Sequence, residues 1–187
     1  MSNKKLGKKL GFGTWGIGGD TGPLSGYGPT VDTESIDLLK YAFFNGIDFF
    51  DTAPPYGNGN SERLIRNAFE SSESKPKVLT KVGVNAWGDE PNYTPQYIEH
   101  SIKDSFTRLG LDSIHAIIFH SLKTFSVDKV QEGFSYLLQC REKGLVTKVG
   151  LSLKTPRDLL YCAPFIRQID IIEVNFNLLD MRLLDKE

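Results

Sequence analysis

Four side chains in this sequence could together move a proton: Asp51, Tyr56, Lys81 and His120. A tyrosine phenol ionises near pH ~10 and is a poor acid–base group at neutral pH. An adjacent ammonium stabilises the phenolate and lowers that pKa. A carboxylate can hold the ammonium in place, and a histidine can donate a hydrogen bond to a carbonyl oxygen. The set suits proton delivery to a nascent alkoxide. The hydride of such a reduction has to come from a cofactor, because no side chain supplies one. Taken singly, each residue has an ordinary structural use: a turn-capping Asp, a solvated Lys, a hydrogen-bonded His, a Tyr packed in a glycine turn. The case rests on their common position.

That position follows from the elements around them. Short runs rich in Val, Ile and Phe recur at Leu10–Trp15, Ile47–Asp51, Val78–Gly83, Ile114–His120, Val146–Ser152 and Asp170–Asn175. Such runs read as strands buried on both faces. Asp51, Lys81 and His120 fall at or near the ends of three successive runs. Amphipathic stretches lie between them. Asp32 or Thr33 can cap one with Ile36, Leu39 and Phe43 inward, stopped by Gly46. Ser61 can cap the next, with Leu64, Ile65, Ala68 and Phe69. Thr94-Pro95 opens a third, Ser126 a fourth, and Thr155-Pro156 a fifth. Strand and helix thus alternate in a parallel-sheet rhythm. Two architectures fit, a doubly wound open sheet and a β/α barrel, and in both the ligand sits beyond the carboxyl ends of the strands.

Gly11, Gly13 and Gly16 satisfy G-x-G-x-x-G, the dinucleotide phosphate turn. That turn needs a helix at once, whereas Gly18, Gly19, Gly22 and Pro23 follow here. The segment reads better as a loop that leaves room for a ligand, with Trp15 as a pocket wall. Trp87, after the third strand, is a second candidate wall. His115 lies five residues before His120, so strand alternation turns it to the other face. His100 reads as solvated.

Composition narrows the class. The chain has 187 residues, a net charge of −1 and 40% hydrophobic residues. Near-neutral charge leaves no footprint for nucleic acid or an anionic membrane. No apolar run reaches the roughly 18 residues of a membrane span. Two cysteines, Cys140 and Cys162, make neither a disulfide framework nor a zinc site, so no metal centre is expected. A reduced, cytoplasmic protein with one domain over residues 1–187 is the expectation.

The stretch Phe50-Asp51-Thr52-Ala53-Pro54-Pro55-Tyr56-Gly57-Asn58-Gly59-Asn60-Ser61-Glu62 resembles the diagnostic motif of the aldo-keto reductases. Leu79-Thr80-Lys81, Leu111–His120, Gly11-Phe12-Gly13-Thr14-Trp15 and Asn175-Phe176-Asn177-Leu178-Leu179-Asp180 resemble further segments of that family, in order. The resemblance implies a parallel (β/α)8 barrel of TIM type, with about six of its eight βα units in this chain. It implies an NADPH-dependent carbonyl reductase, NADH being the other candidate, acting on a small carbonyl compound, sugar-derived ones included. Tyr56 would be the proton donor, Lys81 and Asp51 its tuning pair, and His120 the residue orienting the carbonyl. Gly13, Thr14, Asp51, Ser152 and Glu173 fall where the family contacts the nicotinamide half of the cofactor. Two positions depart from the pattern: Leu153 stands where Asn is common, and Glu173 where Gln is common. A carboxylate can only accept hydrogen bonds.

Six parallel strands leave two open edges, and self-association through them is expected. A second functional reading is a catalytically inactive or regulatory binding protein that keeps this fold. A third, a glycosidase using Asp51 and Glu173 as paired carboxylates, leaves Tyr56, Lys81 and His120 without a role.

Overall fold

The computed structural model describes residues 10–19, 27–122 and 127–184. Six strands form one parallel sheet: β1 (Phe12–Gly13), β2 (Phe49–Asp51), β3 (Lys77–Val82), β4 (Ile114–Phe119), β5 (Val146–Leu153) and β6 (Ile171–Val174). Their spatial order is the chain order, β1-β2-β3-β4-β5-β6. A doubly wound sheet requires the order to reverse at a switch point. Sequential order with right-handed crossovers instead puts every helix on one face and curls the sheet. The chain therefore has the architecture of a partial (β/α)8 barrel.

The helices follow the apolar spacing. They are α1 (Asp32–Phe44), α2 (Asn60–Phe69), α3 (Pro95–Leu109) and α4 (Val127–Glu142). Leu39, Leu64, Ile98 and Phe134 share one buried cluster with Phe50, Val78, Ile117 and Val149 of the sheet's outer face. On the concave face a separate small cluster, Leu79, Ala116 and Ile118, packs with Phe49 and Ile171. Thr94 starts α3 in extended conformation with Pro95 at its first turn, and Gly110 ends it at φ +63°, a left-handed C-terminal stop that glycine adopts without strain.

Several local expectations shift. Only Phe12–Gly13 of the first run is strand. Val31, not Asp32 or Thr33, is the N-cap of α1. α2 starts at Asn60 after left-handed Gly59, so Ser61 lies inside it. Its hydroxyl donates to Thr14 O at 2.9 Å rather than capping the helix. The Thr155-Pro156 opening leads to a 3-10 run over Pro156–Gln168 with Pro164 inside it. A proline there removes an N–H and blocks a regular α-helix. Gly22, Pro23 and Ser126 lie outside the described residues.

His115 corrects the alternation argument. Ile114 and Ile117 both belong to the outer cluster. Strand alternation therefore slips between them, and His115 turns to the concave side. Its ring meets Phe49 edge-on at 6.0 Å, at the lower mouth of the lumen. Among the described residues no helix is long and apolar enough to cross a membrane.

Candidate active site

The carboxyl ends of β1 and β2 are stitched together first. Thr14 donates to Asp51 O from both its backbone N–H (2.9 Å) and its hydroxyl (3.0 Å). The chain then passes through buried Ala53, Pro54 and Pro55 to Tyr56. Gly57, Asn58 and Gly59 follow, all left-handed, with φ of 60°, 51° and 80°. Gly57 also lies against Gly18, where an added Cβ would stand 2.1 Å from the carbonyl oxygen. Glycine is thus required there twice over, by dihedral and by space. The turn feeds α2 and aims the Tyr56 ring inward.

Lys81 is the hub. It is fully buried on β3. Its ammonium makes a short charged hydrogen bond to Asp51 Oδ1. It also donates to Tyr56 Oη at 3.1 Å and Thr52 O at 3.3 Å, and lies 3.5 Å from Glu173 Oε2. Burial disfavours its charge, but the Asp51 carboxylate, with Tyr56 and Glu173 behind it, outweighs burial and holds the ammonium protonated. Burial lifts the Asp51 carboxyl to about 6, Lys81 pulling it back and Glu173 adding to the rise. For Tyr56 the expected lowering is outweighed. Burial raises the phenol above its usual value, Lys81 opposes this, and Asp51 adds to it. The phenol is therefore protonated at neutral pH, the state a proton donor requires.

His120 follows β4, with its backbone N–H on Val82 O at 2.9 Å. Burial, then the charges of Lys81 and Lys154, push its pKa down to about 3, so the imidazole is neutral at physiological pH. Its Nδ1 is buried without a partner among the described residues. The rings of Tyr56, Trp87 and His120 form a triangle: Tyr56–Trp87 stack at 6.1 Å, Tyr56–His120 meet edge-on at 5.9 Å, and Trp87–His120 lie 5.7 Å apart. Trp15 extends the wall, 6.1 Å from Trp87 and 5.1 Å from Tyr27. Trp87 thus stands beside Tyr56 and His120, and Trp15 backs Trp87.

Ser152 and Glu173 are register partners on β5 and β6, and the Ser152 hydroxyl donates to Glu173 Oε1 at 3.1 Å. Glu173, Asp51 and Gly13 line a lumen cavity of about 600 Å³. Thr14 is fully buried and its hydroxyl is committed to Asp51 O, so it braces the rim rather than lining that cavity. Cys140 and Cys162 are buried free thiols, and burial pushes Cys162 up to about 12.

One group escaped the sequence reading. Glu62, fully buried on α2, accepts from Thr80 Oγ1 at 2.7 Å and from Arg108 Nε at 2.5 Å. Arg108 also reaches Ser105 Oγ at 3.2 Å. This network ties α2 and α3 to the residue that precedes Lys81. Its signal was available: Glu62 stands three and seven residues before Ile65 and Phe69, on the face that must be buried.

The family model described as "Aldo/keto reductase family" matches residues 9–187. The chain belongs to the aldo-keto reductase family. It is 31% identical over 174 residues to "Probable aldo-keto reductase 1" of Glycine max, covering 91% of this chain and 48% of that protein. It is 28% identical to "NADH-specific methylglyoxal reductase" of Escherichia coli (strain K12), covering 96% and 58%. Among solved structures, a Pseudomonas aeruginosa protein assigned to the aldo-keto reductases superposes with a TM-score of 0.77 at 28% identity, over 92% of this chain and 65% of that one. The chain spans about half the length of the curated relatives it matches.

Proposed function

We propose that this chain carries the proton-donating half of a nicotinamide-dependent carbonyl reductase. One observation carries the reading: a fully buried ammonium, Lys81, in contact with both Asp51 and the Tyr56 hydroxyl. Tyr56 donates its proton to the oxygen of a carbonyl substrate as that oxygen gains charge. Lys81 stabilises the phenolate left behind, and Asp51 fixes Lys81. Neutral His120 orients the carbonyl oxygen, and Trp15 and Trp87 wall the substrate.

The lumen suits a nicotinamide. The Glu173 carboxylate faces the cavity as an acceptor, matching the amide NH2 of a carboxamide, and Ser152 steadies it. Gly13, Asp51, Ser152 and Glu173 are the residues assigned to that half of the cofactor, with Thr14 bracing Asp51 from behind. When bound, the nucleotide supplies the reducing equivalent. NADPH is the assigned nucleotide and NADH its competitor, the latter supported by the name of the Escherichia coli relative.

The substrate class is a small aldehyde or ketone, sugar-derived compounds included. The reading also includes a cytoplasmic setting, to which two buried free thiols are suited. Association through the β1 and β6 edges belongs to it too, and light scattering that gave a monodisperse monomer would count against that part. The test of the whole is a titration of the full chain with NADPH and with NADH, followed by a carbonyl panel read by nucleotide absorbance. Saturable binding and carbonyl-dependent oxidation support it. A folded chain that binds neither nucleotide overturns it.

A further inference from the structure

The charges around Lys81 do not balance. Asp51 and Glu173 both meet its ammonium, so two carboxylates face one cation at the end of the lumen. Either carboxylate alone would neutralise Lys81, and Asp51 already holds it in a short charged contact. Glu173 is the surplus charge. Its carboxylate is one-third exposed, and it lines the cavity that Gly13 and Asp51 also line. Ser152 donates to Oε1 and fixes the group in place without neutralising it.

Lys77 and Lys148 also line this cavity, but near the starts of β3 and β5, at the opposite end from Glu173. Lys77 is paired with Asp48 at 3.0 Å. Lys148 precedes Ser152 by four residues on β5, about 13 Å down the strand. Lys154 is exposed beyond the end of β5 and acts on His120.

A fixed surplus negative charge distinguishes ligands that differ by one positive charge. The two forms of a nicotinamide differ in that way: the oxidised ring is a cation and the reduced ring is neutral. We infer that Glu173 makes this site discriminate between the redox forms of its nucleotide, favouring the oxidised one and so lowering the potential of the bound couple and poising it toward hydride donation to a carbonyl, relative to the same site with a neutral glutamine. The inference rests on the nicotinamide reading above and adds a selectivity to it. Glutamine keeps the size of the side chain and its carbonyl acceptor, so the substitution removes charge and little else.

The test compares dissociation constants for NADP+ and NADPH at pH 8, by tryptophan fluorescence and calorimetry, in the full chain and in Glu173→Gln. The variant should lose on the order of tenfold in preference for NADP+ over NADPH, the size of one unit charge acting across a partly solvated site. Tenfold corresponds to a rise of about 30 mV in the potential of the bound couple. Glu173→Ala, a second neutral variant, should shift the ratio in the same direction, and Glu99→Gln, which removes a charge on the outer surface of α3, should leave it near wild type. Thermal melts by circular dichroism establish that each variant is folded. If both nucleotides bind and the ratio is unchanged in Glu173→Gln and Glu173→Ala, the inference is wrong and the nicotinamide reading stands. If the folded wild-type chain binds neither nucleotide, both fall.

Discussion

Replacing Arg108 with methionine should destabilise the protein by about 3 kcal/mol, because it breaks a buried pair and strands its partner. The magnitude comes from the Glu62 environment. That carboxylate is fully buried, with one oxygen on the Thr80 hydroxyl and the other on Arg108 Nε. Without Arg108 the hydroxyl alone remains to satisfy it. Breaking a buried pair costs about 3–5 kcal/mol, and the 20% exposure of the Arg108 side chain places this case at the lower end. Glu62→Gln should cost less, about 1–2 kcal/mol, since an amide can accept from Arg108 and donate to Thr80. The double variant should lose less than the sum, with a coupling of about 1–3 kcal/mol. Urea unfolding at pH 7, followed by far-ultraviolet circular dichroism, measures all four proteins. An Arg108→Met effect below about 1 kcal/mol, or strict additivity, would refute the claim that Glu62 depends on Arg108.

Gly57→Ala should destabilise the protein by at least about 2 kcal/mol and impair turnover, since the new Cβ would collide with the Gly18 carbonyl at a left-handed position; thermal melts and activity check this. His120 bears on acid stability. Its pKa is pushed below the ordinary value, so its contribution is full above pH ~6.5 and is lost as pH falls toward about 3. Asp51, pushed up to about 6, works in the opposite sense: its contribution is full below its ordinary 3.8 and is lost as pH rises through about 6. The difference between wild type and His120→Gln isolates the histidine, and urea midpoints from pH 7 to 4 should fall less in the variant. Trp87→Ala removes the ring stacked on Tyr56 and edge-on to His120. It should raise KM for aromatic or apolar carbonyls about tenfold while nucleotide affinity stays within about threefold.

The strands and helices nearest the site were legible because they obey simple periodicities. Val78–Gly83 and Ile114–His120 were read almost to the residue, and Leu64, Ile65, Ala68 and Phe69 do face inward. Periodicity alone left a doubly wound sheet and a barrel open, since both bury their strands on two faces; the resemblance carried by Phe50–Glu62 implied the barrel, and the spatial strand order bears it out. His115 was misread because one slip in alternation between Ile114 and Ile117 leaves no compositional trace. The 3-10 run over Pro156–Gln168 was hidden behind a helix-like opening, although Pro164 is the residue that forbids a regular α-helix there. The positions of Asp51, Tyr56, Lys81 and His120 were anticipated from the strand ends. The net upward shift of Tyr56 was not, because burial strength depends on the tertiary packing of Trp87 and its neighbours. The Glu62 pair left no local pattern, because its partner Arg108 lies 46 residues away.

The central claim is that the Tyr56 hydroxyl, held by Lys81, delivers the proton. Tyr56→Phe tests it most directly, because the ring and its stacking on Trp87 remain while the hydroxyl is lost. Single-turnover carbonyl reduction and nucleotide affinity should be measured side by side in wild type and variant. The account predicts a rate loss of about 10²–10⁴-fold with the nucleotide Kd within about threefold. A variant that reduces the carbonyl within about tenfold of the wild-type rate would contradict it, and the proton would then have to come from another group.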